Sequence, residues 1–160
     1  MTIRAWRITK SKYAAAAFSG GGAKAYGGRW NSQGTAMVYT ASNISLAILE
    51  ILMYLQVPEL MSRFVSFEVT FDESLMTVID PAALPRSWRR SPVPEAAQRI
   101  GDAWAATGTS AVLRLPSVIV RSEWNYLLDP AHRDFAKISV GPKQPIKFDP
   151  RLIEMPTSGD

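Results

Sequence analysis

Residues 64–71, FVSFEVTF, alternate without a break: Val65, Phe67, Val69 and Phe71 fall on one side of an extended chain, Ser66, Glu68 and Thr70 on the other. A period of two is that of a half-buried strand, whereas a helix repeats its apolar positions every three to four residues. One apolar and one polar face suit an antiparallel sheet, because parallel strands are covered on both faces. Other segments supply partners. IRAWRI reads as a first strand ending near Thr9, AMVYTA as a buried strand, and MTVID as a short one closed by Pro81. SAVLRLPSVIV reads as a strand broken by Pro116, which cannot donate to a ladder, and AKISV and PIKFD as two last strands. Two segments predict substantial helices. ISLAILEILMYLQV can be capped by Ser42 or Asn43 and is expected to end at Pro58. PEAAQRIGDAWAAT has Pro94 near its start and Gly108 after its end. Strands that helices do not regularly separate argue against a doubly wound sheet and for α+β with mainly antiparallel pairing.

The chain carries no internal repeat, low-complexity tract or linker, and its 160 residues, 47% hydrophobic, suit one domain over residues 1–160. It has no cysteine, which excludes disulfides, thiolate metal sites and cysteine nucleophiles; with His132 as the single histidine, no metal ligand set is expected. No apolar run approaches the roughly 20 residues of a membrane helix, and YAAAAF is too short for a signal-peptide core, so a cytoplasmic protein without membrane contact is expected. The net charge of +4 suits an anionic ligand or partner without choosing one. RSWRR, Arg86 to Arg90, reads either as a solvated loop or as a phosphate-backbone contact; nothing else resembles a nucleic-acid motif.

Residues 10–36 hold Gly20, Gly21, Gly22, Gly27, Gly28 and Gly34 among small and polar residues, too long a stretch for an ordinary connector. SGGGAKAYGGRWN invites a phosphate-loop or dinucleotide-fold reading. It lacks the G-K-[ST] ending, however, and the expected element after it is a strand, whereas both motifs open a helix. A flexible surface loop is one reading. Tyr26, Arg29 and Trp30 among the glycines support another, an anion site, since a guanidinium beside two glycines meets a phosphate with little backbone in the way.

Glu50 is the only charged residue between Ile44 and Leu55, and its helical neighbours Leu46, Ala47, Met53 and Tyr54 cannot neutralise it. An unpaired buried carboxylate costs several kcal/mol, so it must find a partner, take up a proton or face a cleft. Two readings stand: a structural ion pair, with Arg29 as the candidate partner, or a catalytic carboxylate. Ser117 follows Pro116 at a strand interruption and can cap a turn or face a pocket. Asn125 and Tyr126 can be pocket residues or cap a turn, and His132 reads as structural or surface-exposed. No G-x-S-x-G is present.

Together, GGRWN, VYTAS, a helix carrying A-x-x-E, LPSVIV and EWNYLLDP resemble the RES domain, from about Trp6 to Arg151. The family takes its name from an arginine, a glutamate and a serine, which fall here on Arg29, Glu50 and Ser117. Asp129 stands where asparagine is expected, and Arg133 where proline is common. The resemblance implies an ADP-ribosyltransferase-like fold and the toxin of a type II toxin–antitoxin pair. The implied partner is an Xre-type helix-turn-helix antitoxin, with operator DNA met only through it and a homodimer within the complex. It implies that NAD is consumed as substrate, by hydrolysis or phosphorolysis, with no prosthetic group. One alternative is ADP-ribose transfer to a cellular protein; another is a non-catalytic module that only binds its antitoxin and DNA. Arg29, Tyr39, Glu50 and Ser117 would then form the catalytic pocket, with Trp30 and Asn125 as further NAD-binding candidates. In that pocket Glu50 would stabilise an oxocarbenium-like ribose, Arg29 would clamp the pyrophosphate, and Tyr39 would stack on nicotinamide. Ser117 would orient Glu50 or a phosphate.

Overall fold

The computed structural model describes residues 1–60 and 62–153. In chain order it holds β1 (Thr2–Lys10), a 3-10 segment (Ser11–Ala16), α1 (Gly21–Tyr26), β2 (Val38–Ala41), α2 (Ile44–Tyr54) and a short α3 (Val57–Leu60). There follow β3 (Phe64–Asp72), β4 (Met76–Val78), α4 (Glu95–Thr107), β5 (Val112–Pro116), β6 (Trp124–Leu128), β7 (Ser139–Val140) and β8 (Gln144–Ile146). The strands form one sheet in the order β4-β5-β6-β2-β1-β3-β7, with β8 also paired to β3. Every pairing is antiparallel except β4 with β5, where the connection passes through α4. The class is the α+β, mainly antiparallel one that the sequence indicates.

The alternating segment is the spine of this sheet: β3 pairs with β1 along its whole length, from Thr2↔Asp72 to Lys10↔Phe64. Val69 and Phe71 enter a core with Ala5, Val38, Tyr126 and Ile138, and Val65 and Phe67 close against Ala17 and Phe18. Ser66 on the other face is also buried, so that face is more covered than its polarity suggests. There α2 lays Leu46 and Ala47 on Ile8, Ala41 and Phe64. On the same face α4 packs Ala97 and Trp104 with Trp30, Leu113 and Leu127. Gly101 sits at the closest approach, where a Cβ would lie 1.8 Å from the Trp30 carbonyl oxygen. The helix is wound around that contact, which accounts for a glycine in its interior.

Several expected boundaries move. The long glycine-rich segment is not one loop, because it contains the 3-10 segment and α1. Thus a short helix does follow its glycines, although β2 is the next strand. The helix from Ile44 ends at Tyr54, before Pro58, which belongs to α3; Asn43 is its cap, accepting from the Leu46 amide at 2.8 Å. AKISV pairs only at Ser139 and Val140, and PIKFD is replaced by Gln144–Ile146. WNYLL, which carries no strand expectation, is β6, a central strand between β5 and β2.

The sheet has one weak seam. β2 holds four registered pairs with β6, but only Trp6↔Ala41 with β1. Beside that single rung the Arg7 guanidinium bridges the gap, donating through Nη1 to the Tyr39 carbonyl at 3.1 Å and through Nε to the Ala17 carbonyl. A cleft opens at this seam.

Candidate active site

The cleft has a volume of about 800 Å³ and is bounded by the glycine segment, β1, β2, α2 and the start of β6. Its lining includes Arg7, Arg29, Tyr39, Glu50 and Asn125, so most of the residues singled out in the sequence converge on one place. The glycine segment keeps its wall thin. Gly20 has φ 72°, and a Cβ there would lie 2.7 Å from the Met37 amide nitrogen.

Glu50 reaches the cleft because it shares the sheet-facing side of α2 with Leu46 and Ala47, four and three residues before it. The start of α2 is tied to the β5–β6 connection: Glu123 accepts from Ser42 Oγ at 3.0 Å and from Asn43 Nδ2 at 2.9 Å. Two neutral donors hold the carboxylate. Ser117 Oγ donates to Oε1 at 3.0 Å, and Asn125 Nδ2 reaches both oxygens, at 2.9 and 3.0 Å, while also touching the Thr40 carbonyl at 3.2 Å. Ser117 orients Glu50 and caps a turn, but it lies outside the cleft lining and does not itself face the pocket. It is fully buried, and its hydroxyl also accepts from the amides of Ile119 and Val120, capping the turn beyond Pro116. No ion pair to Glu50 forms among the described residues. Burial pushes its pKa above the ordinary carboxylate value, and the bonds from Asn125 and Ser117 pull against that rise.

Arg29 does not pair with Glu50, which corrects the ion-pair reading. Its Nη1 donates to the carbonyls of Trp88 at 2.8 Å and Arg90 at 3.0 Å, and its Nε is buried without an acceptor. Those carbonyls belong to the RSWRR segment, and Trp88 stacks on Trp30 with ring centroids 5.6 Å apart. The basic segment is therefore strapped to the cleft wall at its backbone, while Arg86, Arg89 and Arg90 stay exposed. Trp30 contributes to the lining but is almost wholly buried, so little of its ring faces the cavity.

Arg7 is the cation the sequence reading passed over. Among the described residues it has no carboxylate partner, and burial lowers its pKa to about 10, which leaves it charged at neutral pH. The signal was available: Arg7 continues the alternate row Ile3, Ala5, whose members pack into the core, and an arginine in such a row needs a reason. Tyr39 gives its hydroxyl to Asn31 Oδ1 at 2.6 Å and accepts from the Trp30 amide at 3.1 Å. Burial raises its pKa, so at neutral pH it is a neutral, fixed phenol. Other candidates lie apart from the cleft lining. His132 accepts from the Asp134 amide at Nδ1, which leaves Nε2 to donate to the Gly108 carbonyl at 2.9 Å; Asp129 caps the Ala131 amide. Among the described residues there is no group of histidine and acidic side chains able to hold a metal, and no helix long and apolar enough to cross a membrane.

Residues 4–149 match the RES domain family. A protein from Yersinia enterocolitica named Toxin Res is 38% identical over 149 residues, covering 92% of this chain and 97% of that one. A Sphingobium protein named Prs ADP-ribosylating toxin is 40% identical over 159 residues, covering 96% of this chain and 98% of its own. Among solved structures, a chain of the M. tuberculosis MbcT–MbcA toxin–antitoxin complex superposes with a TM-score of 0.74 at 15% identity, over 96% of this chain and 87% of that one. This likeness is of fold, and it accords with an ADP-ribosyltransferase-like architecture.

Proposed function

The chain belongs to the RES domain family, and from that premise we propose that it is a toxin of a toxin–antitoxin pair that consumes NAD by breaking the nicotinamide–ribose bond. The observation that carries this reading is Glu50, a desolvated carboxylate held by two neutral donors at the edge of a cleft that arginines also line. Burial raises the cost of that charge, and no cation among the described residues offsets it. Glu50 instead faces a space where a cation can arise. When the C1′–N bond breaks, its electron pair leaves with nicotinamide, which becomes neutral, and the positive charge passes to the ribose. A carboxylate fixed beside that charge lowers the barrier, and the low dielectric of the cleft strengthens the effect.

The remaining residues fall into supporting roles. Ser117 and Asn125 orient the carboxylate without neutralising it. Arg7 and Arg29 offer guanidinium N–H groups to the pyrophosphate, and the Tyr39 ring offers an apolar surface to nicotinamide. Attack on the ribose by water gives ADP-ribose and releases a proton, while attack by inorganic phosphate gives ADP-ribose 1″-phosphate. NAD is the substrate, and no prosthetic group takes part. A second reading, transfer of ADP-ribose to a protein nucleophile, is favoured by the name of the Sphingobium relative. An antitoxin partner is suggested by the complex in which the fold neighbour occurs; we extend this to an Xre-type partner that alone meets operator DNA, and to a homodimer in the cytoplasm.

Purified protein incubated with NAD tests the reading by chromatography of nicotinamide and the ribose product. Release without any protein acceptor supports NAD degradation, and its dependence on added phosphate separates phosphorolysis from hydrolysis. A labelled acceptor in extract, with no release from protein alone, supports transfer. Glu50→Gln should lower turnover at least about a hundredfold. Growth arrest that survives this substitution would instead favour a module that acts by binding only.

A further inference from the structure

We propose that Asn31 is a positioning residue for this cleft: one buried side-chain amide fixes the Tyr39 ring and the glycine segment together, shaping the substrate wall without touching substrate. The proposal rests on the reading of the cleft as the NAD site, but its geometry stands without it. Asn31 is fully buried and is not part of the cleft lining. Its Oδ1 accepts from the Tyr39 hydroxyl at 2.6 Å. Its Nδ2 donates to the carbonyls of Ala23 at 2.9 Å, Ser32 at 3.1 Å and Thr35 at 3.1 Å. Its own carbonyl accepts from the Gly28 amide at 2.9 Å.

An asparagine that served only its own turn would be satisfied by neighbouring backbone. Here the acceptor half of the amide is given to a side chain of the cleft, while the donor half spans α1 and the turn before β2. The Tyr39 hydroxyl is thereby enclosed, since its other partner is the amide of Trp30, beside Arg29. Gly28 completes the enclosure: a Cβ there would lie 2.6 Å from the Tyr39 hydroxyl oxygen and 2.9 Å from Asn31 Oδ1. Three parts of the wall therefore meet at one side chain: α1, the Arg29–Trp30 turn and the Tyr39 ring. No other residue type reproduces the arrangement. Aspartate has no donors for the three carbonyls, leucine has neither half, and glutamine is longer by a methylene in a site without spare room. Loss of the amide should therefore loosen Tyr39 and the turn together. It should weaken ground-state binding of NAD more than the bond-breaking step, which depends on Glu50 across the cleft.

The experiment compares wild type, Asn31→Ala, Tyr39→Phe and the double variant, using steady-state NAD turnover per folded protein and NMR of protein carrying ring-¹³C tyrosine. The Tyr39 ring signal is assigned by its absence in Tyr39→Phe. Asn31→Ala should raise KM for NAD roughly tenfold with kcat changed less than about threefold, a split that mere loss of folded protein would not produce. The Tyr39 signal should shift and broaden, and the double variant should be no worse than Asn31→Ala alone. An unmoved Tyr39 signal in folded Asn31→Ala, or effects of the two substitutions that multiply, would overturn the proposal. Should Asn31→Ala fail to fold, Tyr39→Phe decides, because it removes only the hydroxyl that Asn31 holds: a KM equal to wild type refutes the role. Wild-type protein that leaves NAD untouched overturns the NAD reading, whereas the ring signal, which needs no substrate, still decides on Asn31.

Discussion

Gly101→Ala tests the packing that sets the cleft. The added Cβ would sit 1.8 Å from the Trp30 carbonyl oxygen and 2.9 Å from its carbon, atoms of backbone that no rotamer change can withdraw. Either α4 or the turn carrying Arg29 and Trp30 must move by about 1 Å or more to relieve the overlap. Overpacking of this kind costs about 1–3 kcal/mol, and a backbone obstacle argues for the upper part of that range. Alanine in place of glycine inside a helix returns about 1 kcal/mol. The expected net loss is therefore about 2 kcal/mol, which at this size lowers Tm by about 4–8 °C. Gly22→Ala is the control: it lies in α1, and a Cβ there meets nothing within 4 Å, so it should be neutral or stabilising. Urea midpoints and thermal unfolding of the three proteins measure the difference, and the KM for NAD should rise in Gly101→Ala as the Arg29 turn shifts. A Gly101→Ala protein as stable as wild type would show that α4 does not rest on Trp30 as described.

Glu50 makes a pH-dependent prediction of stability. Its folded pKa lies above the ordinary value of 4.5, so between the two the native state holds the proton more tightly than the unfolded chain does. The contribution of this group to stability therefore falls as pH rises through that window and stays low above it. Glu50→Gln should gain stability relative to wild type between pH 4.5 and neutrality while losing turnover, read from urea midpoints at both ends; a variant that loses ground as pH rises contradicts the assignment. Arg7→Lys keeps a charge but lacks the planar fork that joins two carbonyls across the seam. It should weaken NAD binding at least about tenfold by calorimetry, and unchanged affinity would remove Arg7 from the substrate site.

What the sequence disclosed followed from how local each cause was. The alternation in 64–71 could be read because the pleat enforces a period of two, although α2 also covers the second face at the start of β3. The segment WNYLL could not: four of its five residues are buried, so no alternation marks it, and Asn125 argues against a strand unless its bonds to Glu50 and Thr40 are known. β7 and β8 are too short, at two and three residues, to leave a pattern. The isolation of Glu50 was visible because its helical neighbours are fixed by sequence spacing. Ser117 and Asn125 were visible as pocket or turn candidates, but they lie 67 and 75 residues from Glu50, so their bonds to it left no local sign. Arg29 was found, but its attachment to the basic segment was not, because carbonyls 59 and 61 residues distant leave no trace in side-chain chemistry.

Glu50 and Arg7, the one charge visible in the sequence and the other passed over there, are better understood by what each lacks. Glu50 is a half-buried anion held by neutral groups, and Arg7 is a half-buried cation held by backbone carbonyls; neither meets an opposite charge among the described residues. For folding alone, both arrangements are unfavourable, and a direct ion pair or two apolar side chains would serve better. Their separation within one cleft suits a ligand that brings both complements at once, an anionic linkage and a ring whose charge passes to the adjoining sugar as it leaves. NAD has that distribution. On this reading the stability forgone at Glu50 and the stability forgone at Arg7 have one cause: Ser117 and Asn125 fix the carboxylate, and the Ala17 and Tyr39 carbonyls fix the guanidinium, without neutralising either.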